Sequence, residues 1–171
     1  MRHLTKVAFV VVAFTAAACT SPDRFDNDAT AGGVGGAGAV VPGSAADPTS
    51  PAYFQQTVGD RIFFAVDQST LSTAAREVLA KQAAWLIENT SFTAIIEGHA
   101  DEQGTREYNL ALGARRASAV QNFLIERGVA PNRLRTVSYG KERPVEICSD
   151  EACYSKNRRA VTVISAGGLT S

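Results

Sequence analysis

The sequence predicts an α+β domain in which one mixed sheet of four strands carries its helices on a single face. Three observations lead there. Four short runs, RIFFAV (61–66), FTAIIEGH (92–99), LRTVSYG (134–140) and RAVTVI (159–164), are rich in β-branched and aromatic residues. The long segments after the first and second of these runs carry apolar residues at helical spacing instead of strict alternation. The order is strand, helix, strand, helix, strand, short helix, strand, with no internal repeat.

The first strand occupies residues 61–66. Ser72 or Thr73 can cap the helix that follows, which runs to Asn89 with Leu79, Ala83 and Leu86 on one face. Residues 92–99 make the second strand. Thr105 caps a second helix whose apolar stripe is Leu110, Ala114, Ala117, Val120 and Leu124, and Gly128 and Pro131 stop it. Strands at 134–140 and 159–164 follow, with a short helix near 151–157 between them.

The ends of the chain read differently. Arg2, His3 and Lys6 precede the uncharged apolar run 7–18, which is shorter than the ~20 residues of a membrane span and matches a secretory signal. Ala16, Ala17 and Ala18 lead straight into Cys19, a pattern that resembles the lipobox of bacterial lipoproteins, with Ala16 where Leu is usual. The resemblance implies cleavage before Cys19, lipidation of its thiol and, with Thr20 following, no retention at the inner membrane. Residues 19–51 then form a Gly-, Ala-, Ser- and Pro-rich tether without apolar period, spanning about 30 Å on average and roughly 100 Å when stretched. The domain covers 52–165, and 166–171 is a tail.

Loss of residues 1–18 removes Arg2 and Lys6 and leaves 15 basic residues against 17 acidic ones. Without a basic excess, nucleic acid is excluded as a natural partner. Cys148 and Cys153 form an even pair in an exported chain, which reads as a disulfide and not as catalytic thiols.

The chemistry concentrates in EGHADEQGTREYNLALGARRASAV (97–120). Asp101 lies in the connection between a strand end and a helix start, where ligands often bind. Asn109 and Arg116 are two turns apart on one helical face with Leu112 between them, whereas Arg115 points about 100° away into solvent. An Asp opposite an Arg suits a zwitterion, the carboxylate taking an ammonium and the guanidinium a carboxylate. The same two residues could instead pair with each other. A metal site at His99, Asp101 and Glu102 lacks a second His or a thiol, and no nucleophile motif is present, so neither a metal nor another cofactor is expected. His99 reads as a structural hydrogen-bonder.

The stretch EGHADEQGTREYNLALGARRASAVQNFLIERGV, followed by TVSYGKERP and YSKNRRAVTVI, resembles the OmpA-like peptidoglycan-binding family, and within it the lipoprotein branch. The similarity spans about residues 61–164. It implies a pocket that binds the diaminopimelate of the peptidoglycan stem peptide without catalysis. The family's pocket residues fall on Asp101, Asn109, Arg116 and Arg158, with the first-strand end at Phe64 and Ala65. Ala65 stands where relatives often carry Asp, and Ala100 where Thr is usual. The resemblance further implies an outer-membrane lipoprotein facing the periplasm in the Tol–Pal envelope and cell-division system, with TolB as a partner competing with wall binding. A wall anchor of another envelope assembly, such as a motor or secretion machine, and a wall-remodelling enzyme are the alternatives.

Overall fold

The computed structural model describes residues 40–147 and 149–167. The 1–18 segment, Cys19, Cys148 and residues 168–171 lie outside them. The described chain runs α1 (Pro51–Tyr53, continuing as a π-helical turn Phe54–Gly59), β1 (Arg61–Phe63), α2 (Thr73–Glu88) and β2 (Phe92–His99). Then come α3 (Arg106–Glu126), a 3-10 turn (Pro131–Arg133), β3 (Leu134–Gly140), α4 (Glu151–Asn157) and β4 (Arg159–Ala166). The sheet order is β1-β4-β2-β3. β4 is antiparallel to both neighbours, while β2 and β3 are parallel and joined across α3. The sheet is therefore mixed and four-stranded, as expected.

The helices start where the caps expect. Ser72 accepts a hydrogen bond from the Ala75 amide, Thr105 from Tyr108 and Asp150 from Cys153. The core lies between α2, α3 and the helix-facing side of the sheet, with Ile62, Ala94, Ile96 and Ala160 against Leu79, Leu86, Val120 and Leu124. Burying each Leu is worth about 1.5–3 kcal/mol. Phe54, Trp85 and Phe92 pack as tilted ring pairs at centroid distances of 4.9 and 5.1 Å. Part of the opposite side of the sheet is open, and Phe63, Ile95 and Val163 are exposed there, while His99 and Arg159 on the same side are buried.

Three expectations need correction. β1 ends at Phe63 and not at residue 66, because the carbonyls of Phe64 and Ala65 accept from arginine side chains instead of a neighbouring strand. Packing also begins before residue 52. The Trp85 indole donates to the Pro48 carbonyl at 2.7 Å, and Ser50, buried, bonds the Ser44 carbonyl and caps the unforeseen α1. Finally, Leu110 is 48% exposed and Ala114 is exposed, whereas Leu112, Gly113 and Arg116 are buried.

The rotation of α3 has a cause in two glycines. A Cβ on Gly98 would lie 1.9 Å from the Gly113 carbonyl oxygen, and one on Gly113 would lie 2.8 Å from the Gly98 oxygen. Helix and strand backbones touch there. The face of α3 centred on Gly113 must therefore point inward, and Leu110 turns out.

Candidate functional site

The loop after β2 is fastened on several sides before it can present anything. The Ala100 amide donates to the Gly140 carbonyl at 2.8 Å, and the Asp101 carboxylate turns back to accept from the Gln103 amide at 3.3 Å. Asn109, buried on the first turns of α3, donates from Nδ2 to the Gln103 carbonyl at 2.6 Å. Lys141 donates to the Gly104 carbonyl at 2.7 Å. Asn157 at the end of α4 donates to Glu102 Oε1 at 2.7 Å, while its Oδ1 accepts the Val145 amide at 2.8 Å. These bonds fix the height of Asp101 at the carboxyl end of β2.

Two arginines converge on this position. Arg116 is fully buried. Its Nε donates to the Gln68 carbonyl at 2.8 Å, Nη1 to His99 at 2.7 Å and Nη2 to Ala65 at 3.1 Å. The guanidinium lies 5.0 Å from the Phe64 ring centroid. One N–H on each Nη remains outside these three bonds. Desolvation pulls its pKa down to about 10, although the nearby Asp101 charge acts in the opposite direction.

Arg158 is bound mainly by carboxylates. Its Nη1 reaches Asp101 Oδ2 at 3.1 Å and Glu151 Oε2 at 3.3 Å, Nη2 bonds Glu151 Oε1, and Nε donates to the Phe64 carbonyl at 3.2 Å. The hydrogen bonds it donates to Glu151, and then those to Asp101, push its pKa up against the effect of burial, and the same contact holds the Glu151 carboxyl below its usual range.

The sequence-derived residues are thus brought together, with one rearrangement. Asp101 pairs with Arg158 and not with Arg116, so the direct pairing considered from spacing does not form. Asn109 acts through the loop, Leu112 is buried one turn before Arg116, and Ala65 contributes its backbone carbonyl. Arg115 is exposed and lies 5.9 Å from the Tyr108 ring centroid. Arg158 and Arg159 are both buried, facing opposite sides of the sheet. Cys153 is buried and disulfide-bonded. Cys148, the expected partner, and Cys19 lie outside the described residues.

His99 departs from its expected role. Its ring is buried, yet neither nitrogen has a hydrogen-bond partner, and Nε2 stands 3.6 Å from the Glu97 carboxylate. Burial, then Arg159 and Arg143, depress its pKa to about 4, so the ring is neutral. What His99 supplies to the site is its carbonyl.

Sequence reasoning missed Glu151, Gln68 and Asn157. Glu151 precedes Arg158 by seven residues across a short helix, a readable spacing. Gln68 acts only through its carbonyl, which leaves no side-chain signal. Two clefts lie elsewhere, one of about 400 Å³ beside Pro48, Tyr53 and Trp85 and one of about 280 Å³ between Arg106, Leu110 and Tyr139. At the candidate site the side chains are buried against one another. The arrangement offers a carboxylate and guanidinium groups at one point, which is chemistry for holding a charge pair.

Comparison with known proteins bears on what that charge pair is for. The model of the OmpA family matches residues 63–158. The peptidoglycan-associated lipoprotein of Mesorhizobium japonicum is 51% identical over 95% of this chain and 93% of its own length. That of Brucella melitensis is 52% identical over 89% and 86%. Among solved structures, the peptidoglycan-associated lipoprotein of Burkholderia pseudomallei superimposes with a TM-score of 0.65 at 35% identity, covering 70% of this chain and all of the other. The C-terminal domain of Helicobacter pylori MotB shares the fold at 24% identity and a TM-score of 0.58, over 63% of this chain and 84% of its own.

Proposed function

Because the chain belongs to the OmpA family, with peptidoglycan-associated lipoproteins as its relatives along nearly the whole length, we propose that it binds peptidoglycan without catalysis and tethers the outer membrane to the wall. The ligand group is diaminopimelate, whose side chain ends in an ammonium and a carboxylate. The observation that carries this reading is the buried meeting of Asp101, Arg116 and Arg158 at the end of β2. Asp101 takes the ammonium, and the carboxylate goes to the guanidinium groups. The Phe64 and Ala65 carbonyls hold both arginines in place, so the missing Asp at position 65 does not dismantle the wall of the site.

In this reading lipidated Cys19 and the tether join the domain to the outer membrane, and the domain works from the periplasm. Its place in the Tol–Pal system, with TolB competing for the wall-binding form, is part of the same proposal. Sedimentation with purified sacculi tests it. The wild-type protein pellets with sacculi and is released by free diaminopimelate, while Asp101→Ala and Arg116→Ala stay in the supernatant. Retention of a folded Asp101→Ala variant at the wild-type level overturns the assignment. Release of stem-peptide fragments during incubation would instead make the protein an enzyme.

A further inference from the structure

Glu151 holds a position that the proposed function leaves without a role. Arg158 has an inner side, bonded to Asp101 and the Phe64 carbonyl, and an outer side, bonded to both oxygens of Glu151. The side chains of Asp101 and Arg158 are 10% and 5% exposed, whereas that of Glu151 is 65% exposed. Arg158 is the only side-chain partner of the Glu151 carboxylate among the described residues. A forked guanidinium thus presents its outer side to one solvent-facing carboxylate in bidentate fashion, which is how it would receive a ligand carboxylate.

We propose that Glu151 is a built-in surrogate for the ligand's carboxylate and competes with it for Arg158. This rests on the diaminopimelate reading above. Ligand entry requires the Glu151 side chain to turn away from Arg158 into water, a move that is inexpensive for an exposed acid. The competition raises the threshold for occupancy. A simple carboxylate offers Arg158 nothing that Glu151 does not already supply. A centre that brings an ammonium for Asp101 together with a carboxylate has a second contact and displaces Glu151. The internal acid therefore tunes the site toward zwitterionic ligands and against lone carboxylates.

The test is a calorimetric titration of the full chain in detergent with two soluble muropeptides. One carries diaminopimelate with its side-chain carboxylate free, and the other has that carboxylate amidated. Glu151→Gln is expected to bind the free form about two- to fivefold tighter than wild type does, the scale of losing one exposed ion-pair competitor. The gain should vanish for the amidated form. Acetate should inhibit Glu151→Gln at lower concentration than it inhibits wild type. Unchanged or weaker binding of the free form by a Glu151→Gln protein that melts normally overturns the inference, and so does an equal gain on both peptides. If wild type binds neither muropeptide nor sacculi, the diaminopimelate reading itself fails, and that result is separable from the others.

Discussion

Arg116 and Arg158 stand at the same end of the sheet and bond to the same loop after β1, yet opposite chemistry holds them. The three hydrogen bonds of Arg116 all go to backbone carbonyls, those of Ala65, Gln68 and His99. Arg158 has one carbonyl, Phe64, and two carboxylates, Asp101 and Glu151. A guanidinium tied to the carbonyls of Ala65, Gln68 and His99 fastens the loop after β1 to the end of β2. One paired with carboxylates can change partners, since a ligand carboxylate is equivalent to a side-chain carboxylate. The difference separates the charge that shapes the site from the charge that exchanges within it.

The sharpest way to break that division is Arg116→Ala. It takes the donor from the buried His99 carbonyl and from the part-buried Ala65 and Gln68 carbonyls, empties the space of a fully buried side chain, and should cost about 3–5 kcal/mol of stability, read from urea denaturation. A midpoint near wild type would mean that Arg116 is not a fastener. Next in size is a pH effect through His99, whose carbonyl serves Arg116 while its ring faces Arg159 and Arg143. The folded ring titrates at about 4 against 6.5 for the free side chain. The unfolded chain therefore binds the proton first. The contribution is complete above about pH 6.5 and is lost as pH falls toward about 4, amounting to up to about 3 kcal/mol. His99→Phe should flatten this part of the stability profile, and an unchanged slope would place the effect elsewhere.

Asp101→Asn probes the exchangeable side. It keeps the shape and removes one charge from Arg158, leaving Glu151 in place, so chemical unfolding should show a loss of about 1–3 kcal/mol, smaller than for Arg116→Ala. Smallest is Asn109→Ala, which frees the Gln103 carbonyl and should cost about 1 kcal/mol in thermal melts while weakening retention on sacculi. A larger loss for Asn109→Ala than for Arg116→Ala would reverse the proposed hierarchy.

Most of the fold is legible along the chain because the signals are local. Ser72, Thr105 and Asp150 cap helices through bonds that span three residues, and the β-branched and aromatic content of β2 needs only the strand itself. The errors arise where distant backbone intervenes. The rotation of α3 follows from Gly98 meeting Gly113, two glycines on different elements whose contact no spacing rule reveals. β1 is cut short by Arg116 and Arg158, more than fifty residues on in the first case and over ninety in the second. The site is legible to the same degree. Asp101, Asn109 and Arg116 stand out as a loop carboxylate and a helical face. The choice between Arg116 and Arg158 as the partner of Asp101 depends on the third dimension, as does the part taken by Glu151.

The position of β4 bears on when this molecule can exist at all. The last strand lies between β1 and β2, so Arg61 meets Val161 and Phe92 meets Ala166, and β1 has no partner in the sheet without it. Contacts so remote in sequence close slowly. Until residues 158–166 have emerged, Phe64 and Asp101 lack their guanidinium and β2 lacks one edge. The sheet of this chain cannot be completed before its last strand is available.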